Sequence, residues 1–134
     1  MGLVYADIEL ANARQDDLKP MSVRALVDSG AMHLCVPRAV ALQLKLPVID
    51  QRTVTYADGR SELVDYAGPI RVAFANRQCL VGALVTGEEA LLGAIPMEDM
   101  DLVINPSRQT VTVNPAHPNI AASKAMGFRV NSND

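Results

Sequence analysis

Tryptophan is absent from this chain, and aromatic residues of any kind are scarce: three tyrosines and two phenylalanines in 134 residues. A core without large rings has to be built from Val, Leu, Ile, Ala and Met. Nearly half the residues are apolar, which is enough for one such core. Cysteine is almost absent too. Cys35 and Cys79 make neither a disulfide framework nor a zinc site. Both lie in apolar stretches, where free cysteine acts as a small buried hydrophobe. Positive charge is neither abundant nor clustered. A net charge of −3 without a Lys/Arg run excludes the electrostatic footprint of a nucleic-acid binder. No hydrophobic run is long enough to span a bilayer, because the most apolar region, residues 80–97, is broken by Glu88-Glu89. The N-terminus has no basic stretch leading into an apolar one. Met1-Gly2 lacks the Ser or Thr that myristoylation asks for at position six, where Ala6 stands. The expectation is a soluble, cytoplasmic protein that engages neither nucleic acid nor membrane and carries no metal or other cofactor.

What is present is a series of short alternating runs. Residues 4–10 alternate apolar and polar, the mark of a half-buried strand. Residues 12–20 are polar, close on Pro20 and read as a loop. Residues 22–27 form the next strand and 33–36 another. Pro37 stands where a helix can begin, residues 38–44 read as a short helix, and Pro47 ends it. Two strand-like runs, 53–56 and 62–66, flank Asp58-Gly59, and Asp-Gly between alternating runs is a strong hairpin signal. Gly68-Pro69 marks a break, after which 70–74 resumes alternation. Asn76-Arg77 reads as a turn and 78–86 as a more buried strand. A short helix is expected within 97–102, then strands at 103–104 and 110–113 around a turn at 105–108. Many short strands separated by turn signals predict an all-β, barrel-like or sandwich-like domain over 1–113. The turn-rich, polar remainder, 114–134, reads as a partly disordered C-terminal tail.

Three motifs carry chemistry. The run Val23-Arg24-Ala25-Leu26-Val27 stops on Asp28-Ser29-Gly30, so a strand would hold a carboxylate at its end, with a hydroxyl to lock the turn and a glycine to admit close backbone approach. Tyr56-Ala57-Asp58-Gly59-Arg60 is the hairpin tip. Leu91-Leu92-Gly93 follows a buried strand and precedes a short helix. This order, together with the wider stretches from Ala25 to Ala31 and from Leu91 to Asp101, resembles the retropepsin-like (retroviral-type) aspartic proteases, and most of all the small bacterial branch of that clan. The resemblance runs from about Val4 to Val113. It implies a retropepsin-like acid protease barrel with one or two short helices, assembled as a two-fold homodimer, and an endopeptidase activity on peptide or protein substrates.

The chemistry agrees with that assembly. Peptide hydrolysis of this kind needs two carboxylates roughly 3 Å apart that share one proton, one acting as base toward water and the other as acid toward the scissile carbonyl. The chain has a single Asp-Ser-Gly and is too short for two lobes, so a second copy has to supply the second aspartate. The resemblance then gives Asp28 the catalytic role. Ser29, Gly30 and Ala31 support the active-site loop and meet the substrate backbone. Tyr56, Ala57, Asp58 and Gly59 form the flap, and Leu91, Leu92 and Gly93 the structural glycine motif. Other carboxylates, among them Asp50, Asp65, Asp99 and Asp101, read as solvated or helix-end groups. Nothing in the sequence aims Ser29 at His33, so no Ser-His-Asp triad is read. The tip Ala-Asp-Gly departs from the glycine-rich retroviral flap and implies a stiffer, charged one. A non-catalytic dimeric module that grips an extended peptide by strand addition is the alternative.

Overall fold

The structure, a computed structural model, describes residues 2–125; residues 126–134, the end of the expected tail, lie outside the described residues. Nine strands and two short helices follow one another as β1 (Tyr5–Asn12), β2 (Met21–Val27), β3 (Leu34–Val36), α1 (Arg38–Gln43), β4 (Val48–Thr55), β5 (Ser61–Phe74), β6 (Arg77–Val85), β7 (Leu91–Leu92), α2 (Ala94–Asp99), β8 (Leu102–Asn105) and β9 (Thr110–Val113). Hydrogen bonding runs β1-β2-β7-β3-β6-β5 and returns from β5 to β1, which closes a six-stranded barrel. β4 pairs only with β5, so the two extend beyond the barrel as a hairpin. β8 and β9 form a separate two-stranded sheet.

The alternation in β1 shows how the sequence produces this closure. Ala6, Ile8 and Leu10 face inward and are at most 4% exposed, while Asp7 and Glu9 face solvent. Leu34, Val36, Ile70, Val72, Ala83 and Leu92 meet them from the other strands, and Leu44 and Met100 join the same core. The core is built from Val, Leu, Ile, Ala and Met with Cys79, as the scarcity of aromatics requires. Both cysteines are free. Burial, with the Asp99 charge adding to it, pushes the Cys79 thiol up to about 12.

Several local expectations are corrected by partners distant in sequence. The polar stretch from Asn12 is not all loop. β1 runs through Asn12, whose buried side chain donates to the carbonyls of Leu44 (2.9 Å) and Lys45 (3.2 Å) and accepts from the Arg14 amide. Gly68-Pro69 does not break the strand. It sits at a register shift inside the continuous β5, and a bulge is where a sheet tolerates proline. Arg77 is not a turn residue. It opens β6 and is 4% exposed, its Nε donating to the Met100 carbonyl at 3.0 Å and its Nη2 to that of His117.

The second helix starts at Ala94, three residues earlier than expected. Pro96 lies in its first turn, where a missing N–H costs nothing. Asp101 does lie just past that helix, but it is half-buried and engaged by other groups. It accepts from Asn114 Nδ2 (3.1 Å) and the Ala122 amide (3.0 Å) and contacts His117 Nδ1 at 2.8 Å. Those bonds, that from the Ala122 amide foremost, bring its carboxyl down to about 2. Residues 114–122 are thereby fastened to the barrel, with Asn76 Nδ2 donating to the Pro118 carbonyl as a further tie.

Candidate active site

β2 and β3 do not bond to each other. The two-residue β7 lies between them, parallel to β2 (Leu26 beside Leu91, Val27 beside Leu92) and antiparallel to β3 (Cys35 beside Leu91). This wedge fixes the turn that follows β2. The Asp28 amide donates to the Leu92 carbonyl at 3.0 Å, and the Asp28 carbonyl accepts from the Ala31 amide at 3.1 Å. The carboxylate is aimed by its own turn, since Oδ1 accepts from the Gly30 amide at 2.9 Å. A β-carbon on Gly30 would stand 3.2 Å from that oxygen, so glycine gives the carboxylate its room. Asp28, Ser29 and Gly30 are all exposed. Among the described residues Ser29 has no side-chain hydrogen-bond partner.

Gly93 lies against the far side of this loop. A β-carbon there would come within 2.8 Å of the Ala31 carbonyl oxygen and the Met32 carbonyl carbon, and closer still to the His33 carbonyl oxygen. The next two amides, of Ala94 and Ile95, donate to the Ala31 and Met32 carbonyls at 2.8 Å each. Leu91-Leu92-Gly93 therefore supports the Asp28 turn from both sides: the strand holds its entry and the helix start holds its exit.

On the sheet face opposite the core, register places Leu26, Leu91, Cys35, Leu84 and Tyr66 side by side across five strands. The row is apolar and, apart from the buried Leu84, half-buried. Asp28 lies close enough to be felt there: burial first, and then the Asp28 charge, push the Cys35 thiol up. An apolar floor with a carboxylate at its end suits an extended chain better than a compact ligand.

The β4–β5 hairpin turns at Tyr56-Ala57-Asp58-Gly59. The Tyr56 amide donates to the Arg60 carbonyl at 2.8 Å and the Gly59 amide to the Tyr56 carbonyl at 2.9 Å. Gly59 has φ of 87°, a left-handed value that glycine adopts without strain. Asp58 accepts from the Arg60 amide at 2.9 Å and pairs with its guanidinium at 3.7 Å. Arg60 stacks on the Tyr56 ring at 4.6 Å. The Tyr56 hydroxyl donates to Glu62 Oε1 and meets Thr86 Oγ1 at 2.8 Å, which ties the hairpin to the loop between β6 and β7. Sequence reading missed Thr86, and no local signal marks it, because its partner is thirty residues away. Among the described residues no hydrogen bond or ion pair joins the tip to Asp28, and no group of three or more His, Cys, Asp or Glu stands ready for a metal ion.

No helix among the described residues is long and apolar enough to cross a membrane. No curated protein matches the chain. Residues 12–68, from the end of β1 to the middle of β5, hold both the Asp28 turn and the hairpin tip, and this segment matches the family model described as aspartyl protease, a family of the retropepsin-like clan.

Proposed function

We propose that the protein is a homodimeric aspartic endopeptidase in which Asp28 from each of two copies shares one proton and activates water. The observation that carries this reading is the Asp28 turn itself. A single exposed carboxylate, held by Leu92 and Gly30 and seated at the end of an apolar row, lies inside the segment that matches an aspartyl protease family. One such carboxylate cannot act as both base and acid in one cycle, whereas two on a two-fold axis can. The surface beside the turn supports a self-complementary contact. Leu3, next to Val4 whose carbonyl accepts from the Val27 amide, is 65% exposed, and Met32 on the turn itself is 64% exposed. Ser29 would brace the paired turns, and the hairpin tip from Tyr56 to Gly59 would cover the bound chain and exclude water.

In this reading the roles divide between the two copies. The unprotonated Asp28 draws a proton from water, which attacks the scissile carbonyl, while the protonated copy gives its proton to that carbonyl oxygen. The first Asp28 then passes its proton to the leaving nitrogen as the C–N bond breaks, the other takes a hydroxyl proton back, and the two peptide ends leave a singly protonated pair behind. The singly protonated pair is the working form, so cleavage is bell-shaped in pH. The test pairs two measurements. Asp28→Asn keeps the shape of the turn and is expected to abolish cleavage of denatured casein while leaving fold and dimer intact. Equilibrium sedimentation of the wild type should give two chains per particle at micromolar concentration. A monomer at every concentration, with cleavage surviving in the variant, would remove the dyad. A dimer that binds peptide without cleaving it would favour the binding module.

A further inference from the structure

Beyond the catalytic turn the chain builds a second feature at the edge of the same apolar row. His33, Tyr66, Leu80, Gly82, Ile95 and Pro96 line an open cleft of about 230 Å³. Tyr66 lies flat on β6 because Gly82 has no side chain; a β-carbon there would run into the ring. His33 meets that ring edge-on, with centroids 5.9 Å apart. Arg52, from β4, lays its guanidinium over the ring at 4.1 Å. The cleft thus has apolar walls, with Leu80 59% and Ile95 40% exposed, and His33 in its lining, while Arg52 lies beside it on the Tyr66 ring that the two groups share.

Arg52 is available to a ligand. Its one ion-pair partner among the described residues is Asp50 at 3.4 Å through Nε, and both side chains are largely in water at 42% and 61% exposure. Such exposed pairs are worth little and exchange readily. Stacking on Tyr66 has already fixed the guanidinium plane, which lowers the cost of ordering it, and the planar fork suits a carboxylate. We infer that Arg52 and His33 form a subsite for an acidic side chain, Glu or Asp, of the extended peptide bound along the Asp28 row. The inference rests on the peptidase reading for the presence of that peptide. His33 lies on the same loop as Asp28, and the Met32 carbonyl between them accepts from the Ile95 amide at the cleft wall, so cleft and carboxylate belong to one continuous surface.

The electrostatics give an independent readout. Burial first, and then the Arg52 charge, lower the His33 pKa. The groups facing the imidazole are Tyr66 from β5 and Arg52 from β4, with Asp50 behind Arg52; β6 and α2 offer only Leu80, Val81, Gly82, Ile95 and Pro96. A carboxylate arriving between Arg52 and His33 favours the imidazolium. Binding therefore raises the His33 pKa and is accompanied by proton uptake.

The experiment uses the full chain carrying Asp28→Asn, so that nothing is cleaved. The probes are N-acetylated, C-amidated octapeptides of Ala, Leu and Gln in which one Glu is moved along the positions, each matched by the same peptide with Gln in place of Glu. Amidation leaves the Glu side chain as the one carboxylate. Dissociation constants and histidine ring resonances are read by NMR. The expected result is roughly tenfold or greater preference for Glu at one or two neighbouring positions, abolished by Arg52→Gln. The His33 titration midpoint should move upward in the complex. Equal affinity for Glu and Gln everywhere, no binding of any peptide, or a preference that survives Arg52→Gln overturns the subsite. Cleavage of denatured casein by the wild type is scored separately. Cleavage without Glu preference sinks the subsite and leaves the peptidase; Glu preference without cleavage does the reverse.

Discussion

A methyl group at Gly93 would press on main-chain atoms of the Asp28 loop and not on the end of a flexible side chain, so the loop itself has to move. Gly93→Ala is expected to cost about 1–3 kcal/mol, the usual range for overpacking a tight site, read as a lowered midpoint in urea unfolding. Wild-type stability in that variant would show that the loop gives way freely, and Gly93 would lose its supporting role. The same scale shows what sequence can and cannot yield. The Asp28 turn was legible because what aims its carboxylate is local, the strand before it and the Gly30 amide after it, whereas its supports at Leu92 and Gly93 are distant in sequence. Asn12 and Asp101 were not legible. Each is an ordinary turn-forming residue in sequence, and its importance lies in partners at positions 44–45 and 114–122.

Among the elements, the strands were legible from alternation and their boundaries were less so. α2 began early because amides at its start are satisfied by the Ala31 and Met32 carbonyls, a tertiary arrangement no periodicity reveals. β5 ran through Gly68-Pro69 because neighbours on both sides hold it to its ladder. The hairpin was legible from Asp58-Gly59, whereas its attachment was not. Tyr56 is half-buried and bonded to both Glu62 and Thr86, so its hydroxyl limits how far the tip can swing. Tyr56→Phe is expected to keep the hairpin but release it. Amide hydrogen exchange across 54–62 should rise several-fold, as expected for loss of a tie worth about 1 kcal/mol, with the barrel strands unchanged. Exchange identical to wild type would mean that β4–β5 pairing alone holds the tip.

For the whole molecule, pH stability is set by a few groups. Asp101 is brought down to about 2 in the folded chain from an ordinary 3.8. Between those values the unfolded chain binds more protons, so stability is fully present above about pH 4 and falls as pH drops toward 2. Asp101→Asn should flatten that acid limb in a pH series of thermal melts. Cys79 gives the opposite limb. Its thiol rises to about 12 from 9.0, the unfolded thiol ionises first, and stability is lost as pH climbs between those values. Cys79→Ala should remove that alkaline slope, and a slope unchanged in the variant would assign it to another group. The insertion of β7 carries a consequence for the order of folding. β2 and β3 are neighbours in sequence, yet they are joined only through Leu91-Leu92, more than fifty residues later. Closing a loop of that length costs entropy before any contact repays it. As the chain emerges during synthesis, the Asp28 turn has no Leu92 carbonyl to bond and no Gly93 beneath it. The segment that matches the aspartyl protease family, residues 12–68, therefore cannot fix its own Asp28 turn, which stays without those two supports until the last third of the chain arrives.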